Sequence, residues 1–185
     1  MSLALTTASI ATWDKRVLMT IDACITHGHP NIGQICAKLT QTVYWADCPR
    51  APKSLDVTTA SYRRILLSDG RPRSYEALLI AWPPGHETPV HDHDGLWGME
   101  LVLDGALQID AYDIAEDHSL SLLAGETTVA GVGDHVVFTE SNYAHRCRNL
   151  SRSSMALSLH VYGGELSSYR SFHHEMGQWR SRSHE

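Results

Sequence analysis

The spacing of apolar residues divides the chain into a helical beginning and a strand-rich remainder. From Thr12 to about Tyr44, apolar residues recur every three or four positions, which predicts two helices separated by the polar turn "HGHPN". Asn31 at the end of this turn is the expected N-cap of the second helix. The two histidines of the turn are expected to be solvated. We therefore expect a helical N-terminal segment over residues 1–56.

After the proline-bearing stretch "DCPRAPKS", the pattern changes to short β-type runs that turn signals separate every eight to twelve residues. Asp104 and Gly105 lie between two such runs and form a strong hairpin signal. This pattern predicts a mainly β fold, a small antiparallel barrel or sandwich on which the N-terminal helices pack. The expected strands cover residues 62–68, 75–82, 90–93, 98–103, 106–114, 120–123, 135–139 and 155–162.

A length of 185 residues is close to the usual size of one domain. We expect a single domain over residues 1–185, with the barrel at 57–163 and a C-terminal extension at 164–185. The closing stretch "FHHEMGQWRSRSHE" is polar and has no periodicity, so we expect it to fray.

Composition narrows the classes of partner. A net charge of -6 argues against a nucleic-acid partner, and no apolar run is long enough to span a membrane. The first residues lack the features of a secretory signal, so we expect a cytoplasmic protein without a membrane partner. The four cysteines have no zinc-site spacing and are expected to be reduced thiols. The oligomeric state stays open between monomer and homodimer.

Histidine is enriched, with 12 residues against two phenylalanines, and this favours metal chemistry. In "PVHDHDGLWG", His91 and His93 would project from the same side of a strand, roughly 6 to 7 Å apart. Imidazoles suit zinc, copper, iron or nickel. A catalytic ion needs a third ligand, and His145 in "NYAHRCRN" could return to the barrel mouth through a loop. The spacing predicts a three-histidine metal site.

The segments "GHETPVHDH" and "HRCRNLSRSSMALSLHVY" resemble the cupin superfamily and, within it, the thiol dioxygenases related to cysteine dioxygenase. The resemblance covers roughly residues 61–163. It implies a cupin barrel, a small antiparallel β-barrel or jelly roll, that holds a mononuclear non-haem Fe(II). The implied iron ligands are His91, His93 and His145.

The same resemblance implies two further sets of site residues. Ser158, His160 and Tyr162 match the family's Ser-x-His-x-Tyr element, and on a strand they would share one face and form a hydrogen-bonded chain. By spacing alone, they could equally be ordinary buried polar groups of an alternating strand. Tyr62 and Arg64 match the family's Tyr-x-Arg strand, whose arginine binds the substrate carboxylate.

The reaction implied is the oxidation of a small thiol, L-cysteine before others, to its sulfinic acid with both atoms of O2. The partners implied are thus a small-molecule thiol and O2. In this reading Arg64 holds the carboxylate and Tyr162 offers a hydrogen bond near the sulfur, while His160 and Ser158 orient Tyr162.

The sequence also departs from its relatives. Gly98 stands where animal cysteine dioxygenases carry a cross-linked cysteine, and Cys147 lies too close to His145 to replace it. Many cupins have a glutamate ligand at the positions that Trp97 and Gly98 occupy here, and Glu100 comes later. We therefore expect a three-histidine site without a carboxylate.

Other substrates and classes stay open. The stretches "DHDGLWG" and "HVYGG" resemble bacterial 3-mercaptopropionate dioxygenases, in which the arginine follows the tyrosine, and Arg170 is the matching candidate. A zinc or manganese cupin, or a non-catalytic cupin that binds a small acid or sugar, would also use three histidines. The non-catalytic cupin would have no use for Ser158, His160 and Tyr162 in line.

Overall fold

The computed structural model describes residues 7–52, 61–115 and 120–184, and β-strands make up most of it. The described helices all precede residue 45. In chain order the elements are α1 (Thr7–Asp22), β1 (Ile25–Thr26), β2 (His29–Pro30), α2 (Ile32–Leu39), a 3-10 helix (Thr40–Tyr44), β3 (Arg63–Leu66), β4 (Glu76–Trp82), β5 (Val90–His91), β6 (Gly98–Asp104), β7 (Leu107–Ile114), β8 (Leu120–Ala130), β9 (His135–Phe138), β10 (Tyr143–Asn149), β11 (Ala156–Tyr162), β12 (Tyr169–Glu175) and β13 (Gln178–His184).

The two N-terminal helices form as their apolar spacing predicts. The side chain of Asn31 caps α2 by accepting a hydrogen bond from the backbone N–H of Gln34, which confirms the expected N-cap. The turn between the helices is a minimal hairpin of β1 and β2, with His27 and Gly28 both at positive φ. Within the described chain, no helix has the length and apolarity needed to cross a bilayer.

In the part of the chain that is described, strands β3 to β13 build two antiparallel sheets. One has the order β13-β12-β5-β10-β7-β8, and the other has the order β3-β4-β11-β6-β9. An apolar cluster between them joins residues of both sheets, among them Ile80, Val102 and Ile109. A second cluster joins the outer face of the five-stranded sheet to α1 and α2. The predicted mainly β fold, a small cupin barrel with N-terminal helices, is confirmed.

Strand β10 was not among the expected strands: the loop expected to return His145 to the barrel ends before Tyr143, and His145 itself lies on a strand. The seven residues "YAHRCRN" form a regular strand that pairs with β7 from Tyr143 to Asn149. Its inward positions include His145 and Cys147, both buried, rather than large aliphatic residues. The apolar alternation that normally marks a strand is therefore absent here.

The expectation that the C-terminal stretch frays is also wrong. Strands β12 and β13 form a hairpin, and Ser171 and Phe172 of β12 pair with His91 and Val90 of β5. Phe172 is fully buried in a small cluster with Val90, whereas most side chains of β13 are exposed. The C-terminal stretch is polar because most of β13 faces solvent. It is ordered because β12 pairs with the distant strand β5, which local periodicity does not indicate.

Candidate metal centre

The fold brings the three predicted metal ligands together inside the barrel. His91 of β5 and His145 of β10 are direct cross-strand partners, and His93 follows just after β5. The ring centroids are 4.7 Å apart for His91 and His145, 4.8 Å for His93 and His145, and 5.1 Å for His91 and His93. One ring nitrogen of each lies within 4.8 Å of the others. Imidazoles from two separated parts of the chain thus converge on one point.

These imidazoles have the unpaired nitrogens that a metal site requires. Among the described residues, neither ring nitrogen of His93 nor Nε2 of His145 has a hydrogen-bond partner, although all three atoms are buried. Nδ1 of His91 lies 3.0 Å from the carbonyl oxygen of Pro89 and donates to it, which leaves Nε2 as a lone-pair donor. A buried polar atom without a partner is costly. A bound cation would satisfy one ring nitrogen of His93 and Nε2 of His145, so the residues fit a metal centre.

Burial also sets the charge of this cluster. It lowers the pKa of His145 to about 3, and it lowers the pKa of His91 and of His93 as well. The carboxylate of Glu100 opposes the shift at His145, while positive charge on that imidazole would lower the pKa of Glu100 against its own burial. We take the imidazoles as neutral at pH 7, because burial lowers the pKa of all three. Neutral imidazole is the form that binds metal ions.

The predicted hydrogen-bonded chain on β11 is present and is longer than expected. Ser158 Oγ is 2.8 Å from Nε2 of His160, and Nδ1 of His160 is 3.0 Å from the hydroxyl of Tyr162. At the far end, Nε1 of Trp82 donates to Ser158 Oγ at 2.8 Å. The ring of Tyr162 stacks on His93 with 4.9 Å between centroids, so the chain ends beside the three histidines. Sequence reasoning missed Trp82, whose only signal is its place at the end of an apolar strand.

A cavity of about 290 Å³ opens next to His91, His160 and Tyr162. Tyr62 and Arg64, the predicted substrate-binding pair, also line it. Tyr62 stacks on His86 with 4.5 Å between centroids, which brings His86 into the cavity wall. The side chain of Arg64 is 39% exposed, and its Nη2 is 4.0 Å from Glu76 Oε1. This side of the barrel therefore combines a guanidinium with an aromatic wall.

Arg170, the other candidate for a substrate carboxylate, has a different environment. Its backbone N–H donates to Asp92 Oδ1 at 2.6 Å, and its Nε donates to Asp92 Oδ2 at 2.7 Å. Asp92 is almost fully buried and lies in sequence between His91 and His93. Among the described residues that line the cavity, Arg64 is present and Arg170 is not, although its neighbour Tyr169 is. The structure thus brings only one of the two arginines to the cavity wall.

Glu100, which was expected to come too late in the sequence to reach the centre, lies beside the histidines. Its Oε1 is 3.4 Å from Nε2 of His145 and 3.2 Å from Nδ1 of His160. Its Oε2 accepts a hydrogen bond of 3.4 Å from Sγ of Cys147, whose pKa burial raises so that it stays a thiol. An acidic residue in the middle of the apolar strand "GMELVLD" was the available signal.

Gly98, one of the two positions at which the sequence comparison expected a glutamate ligand in many cupins, has no room for a side chain. A Cβ atom there would collide with the ring of Phe138. Phe138 in turn stacks on His93 with 4.6 Å between centroids. The ring of Phe138 thus fills the space at position 98 and also packs on the candidate ligand His93. The carboxylate is at position 100, which is on the same face of β6.

Comparison with known proteins gives matches over most of the barrel. The family described as "Cysteine dioxygenase type I" matches residues 39–175. Cysteine dioxygenase type 1 from Rattus norvegicus is 23% identical over 116 residues, which cover 63% of this chain and 58% of that protein. The protein of the same name from Danio rerio is 26% identical over 117 residues, with the same coverage of 63% and 58%. A sugar phosphate isomerase structure from Silicibacter pomeroyi is 15% identical, with a TM-score of 0.46, and the match covers 70% of this chain and 91% of that chain.

Two facing antiparallel sheets around three converging imidazoles define a protein of the cupin type with a candidate metal centre. The family match begins at the end of α2 and runs to the end of β12, so it includes every predicted site residue. The chain belongs to the cysteine dioxygenase type I family. The region matched to the curated relatives spans 58% of their length.

Proposed function

We propose that this protein is a thiol dioxygenase that oxidises a small thiol, with L-cysteine as the first candidate, to its sulfinic acid. The observation that carries the proposal is the convergence of His91, His93 and His145, with unpaired nitrogens, next to a cavity that also presents Tyr162 and Arg64. Membership of the cysteine dioxygenase type I family supports this chemistry.

We propose Fe(II) as the metal, held by His91, His93 and His145. A ferrous ion bound there would supply open positions for a thiolate and dioxygen, and the electron transfer between them. The reaction balances without another reductant, because R–SH and O2 give R–SO2H and both oxygen atoms end on the sulfur. Three neutral imidazoles leave the positive charge of the ion to attract the anionic thiolate.

Arg64 is the proposed partner of the substrate carboxylate. It lines the cavity, and its contact with Glu76 is a long one, at 4.0 Å. A guanidinium forms stronger hydrogen bonds with a carboxylate at bidentate geometry than at that distance, so a substrate carboxylate can displace this contact. Tyr62, stacked on His86, forms the wall beside it.

Tyr162 is the proposed hydrogen-bond donor to the reacting atoms. Burial raises its pKa well above the ordinary value, so the phenol stays protonated. Because Trp82 donates to Ser158, the Ser158 hydroxyl can donate to Nε2 of His160, and Nδ1–H of His160 then points at the phenol oxygen. This direction leaves the O–H of Tyr162 available to the cavity.

The test is oxygen uptake by iron-loaded protein with L-cysteine, 3-mercaptopropionate and cysteamine, with the sulfinic acid product identified by mass spectrometry. We expect Arg64→Ala to lower kcat/KM for L-cysteine by about 10- to 100-fold, the loss of one charge-assisted contact. Cysteamine, which has no carboxylate, serves as the matched control and should react equally with both proteins. Uptake that no thiol stimulates would overturn the proposed function.

Arg170→Ala separates the rival substrate. If Arg170→Ala reduces turnover of 3-mercaptopropionate more than turnover of cysteamine at full metal loading, while Arg64→Ala does not, the carboxylate site and the substrate are those of the alternative. Tyr169, the neighbour of Arg170, lines the cavity. Metal analysis of protein reconstituted under anaerobic conditions separates the remaining classes. Tight zinc or manganese binding without thiol-dependent oxygen uptake would indicate a non-oxidative or non-catalytic cupin.

A further inference from the structure

The C-terminal hairpin of β12 and β13 contributes an aromatic side chain to the cavity. Tyr169 is the first residue of β12 and lines the cavity wall. Its ring lies edge-on to His91, with 6.3 Å between the centroids and 80° between the ring planes. Within the described ranges, its hydroxyl forms no hydrogen bond with another residue. A phenol in a cavity wall without a protein partner is available to donate to a bound molecule.

Tyr169 faces the same space as the proposed carboxylate-binding residues. Burial raises the pKa of Tyr62 to about 12, the guanidinium of Arg64 opposes this shift, and negative charge on Tyr169 would add to it. Charges influence one another in this way only over short distances. Arg64 comes from β3 of the five-stranded sheet and Tyr169 from β12 of the six-stranded sheet. The two sheets thus present a guanidinium and a phenol to one cavity.

The ring of Tyr169 is held by the neighbouring strand. His184 of β13 is its cross-strand partner, and the two rings stack with 4.5 Å between the centroids and 12° between the planes. Nε2 of His184 is 2.8 Å from Oγ of Ser171, a buried residue that pairs with His91 of β5. A stacked ring with a hydrogen-bonded partner has little rotamer freedom left to lose on binding. Tyr169 is therefore positioned before a ligand enters.

Alternation along β12 separates Tyr169 from the arginine that follows it. The side chain of Arg170 binds Asp92, whereas Tyr169 lines the cavity. A carboxylate has two oxygens and about four lone-pair sites, so a guanidinium on one side leaves sites for a second donor. A phenol from the opposite sheet is such a donor.

We propose that the hydroxyl of Tyr169 donates a hydrogen bond to the substrate carboxylate that Arg64 binds, and that His184 is a positioning residue for Tyr169. The two cavity residues would together select thiols that carry a carboxylate. This inference rests on the proposed function and adds a residue that determines its specificity.

The experiment measures anaerobic binding of thiols to iron-loaded protein by isothermal titration calorimetry, so that affinity is obtained without turnover. The ligands are L-cysteine, 3-mercaptopropionate and, as the ligand without a carboxylate, cysteamine. Tyr169→Phe keeps the ring that stacks on His184 and removes the hydroxyl. We expect it to raise the Kd of both carboxylate thiols by about 10-fold, the loss of one hydrogen bond to a charged group, and to leave cysteamine unchanged.

Tyr112→Phe is the matched control. Tyr112 packs in the apolar cluster on the other face of the six-stranded sheet, and its ring centroid is 6.0 Å from that of Trp179 in the same hairpin. This variant also loses one phenol hydroxyl, and it should bind all three thiols as the wild type does. Thermal unfolding of each variant shows that the proteins compared are folded.

Two further comparisons test the arrangement. His184→Ala should raise the Kd of the carboxylate thiols by about 3-fold, because Tyr169 loses its stacking partner, and His184→Phe should restore wild-type affinity. If Tyr169 and Arg64 bind one carboxylate, the loss in Tyr169→Phe combined with Arg64→Ala should differ from the sum of the single losses.

Unchanged Kd values for the carboxylate thiols in Tyr169→Phe, or an equal loss for cysteamine, would overturn the proposed contact. Strictly additive losses in the double variant would overturn the sharing of one carboxylate, and a His184→Phe variant as weak as His184→Ala would overturn the positioning role. Failure of the wild type to bind any of the three thiols is a different result, because it overturns the proposed function itself.

Discussion

Strand β11 is buried along its whole length, yet its two faces have opposite chemistry. The outer face packs against the N-terminal helices in an apolar cluster through Leu157, Leu159 and Val161. The inner face forms the hydrogen-bonded chain that ends beside the three imidazoles, through Ser158, His160 and Tyr162. Alternation along one strand therefore separates the residues that stabilise the barrel from those that prepare its interior for chemistry.

The comparison explains why the helices matter to a β protein of this size. Trp13, Val17 and Ile21 of α1 are all fully buried against the outer face of the five-stranded sheet. That burial adds apolar contact area to the cluster inside the barrel, where polar groups around the candidate metal centre occupy part of the space. Substitutions on the two faces should accordingly change different measurements.

The largest expected effect is on the inner side of the barrel. His145→Ala should abolish 1:1 metal binding and lower thiol-dependent oxygen uptake by about 10³-fold or more, because one of three ligands is lost. The metal-free variant should be less destabilised than a purely apolar truncation, because removal of a buried nitrogen without a partner offsets part of the cost of the cavity that the ring leaves. Metal content and urea unfolding measure the two quantities. A variant that binds metal normally would contradict the proposed centre.

On the outer face we expect the reverse: a substitution should lower the stability of the fold and leave metal binding unchanged. Leu159→Ala should lower the free energy of unfolding by about 3 kcal/mol, because a side chain with 1% exposure leaves a cavity against the helices. Its metal stoichiometry and its KM for the thiol should be those of the wild type. Loss of metal binding in this variant at temperatures where it is folded would break the separation between the faces.

The contact between Asp92 and Arg170 tests whether the six-stranded sheet positions the histidines. Arg170→Gln should weaken metal binding by about 10-fold, because the buried carboxylate between His91 and His93 loses its guanidinium. Asp92→Asn combined with Arg170→Gln should be less harmful than the sum of the single changes, since no charge is then left unpaired. Additive losses in the double variant would show that the two residues act independently.

The smallest effect concerns Asp14 of α1, a carboxylate at the edge of the outer cluster. Its Oδ1 is buried without a partner in the described structure, and burial raises its pKa to about 6 from 3.8. The unfolded chain releases this proton at lower pH than the folded protein, so stability falls as pH rises from about 4 to 6. At pH 7 the free energy of unfolding of Asp14→Asn should exceed that of the wild type by about 1 kcal/mol, a value that allows for the partial exposure of the carboxylate. Near pH 3.5 the two proteins should be equally stable. A difference that does not change with pH would exclude this cause.

Much of the fold could be predicted from local pattern, because the helices and most strands carry apolar residues at their own period. The sequence also predicts the N-cap Asn31 from capping preferences. It predicts from strand alternation that His91 and His93 face the same side. The arrangement of Ser158, His160 and Tyr162 was expected from alternation together with the family resemblance, and their contacts agree with it.

What could not be predicted depends on partners far away in sequence. β10 lacks apolar alternation because its inward residues are His145 and Cys147, and β12 takes its order from β5. Glu100 was set aside by counting residues after His93. Sequence spacing does not show that Phe138 fills the space at Gly98, or that the side chain of Glu100 extends far enough to reach His145.

The placement of β5 between β10 and β12 has a consequence for biosynthesis. Arg170 follows Asp92 by 78 residues, so the stretch with the first two candidate ligands leaves the ribosome well before its last neighbour exists. At ordinary translation speeds this interval is roughly 4 to 16 seconds. During it the nascent chain carries His91 and His93 without their enclosing strands, and loading with metal is expected only after the closing hairpin has docked.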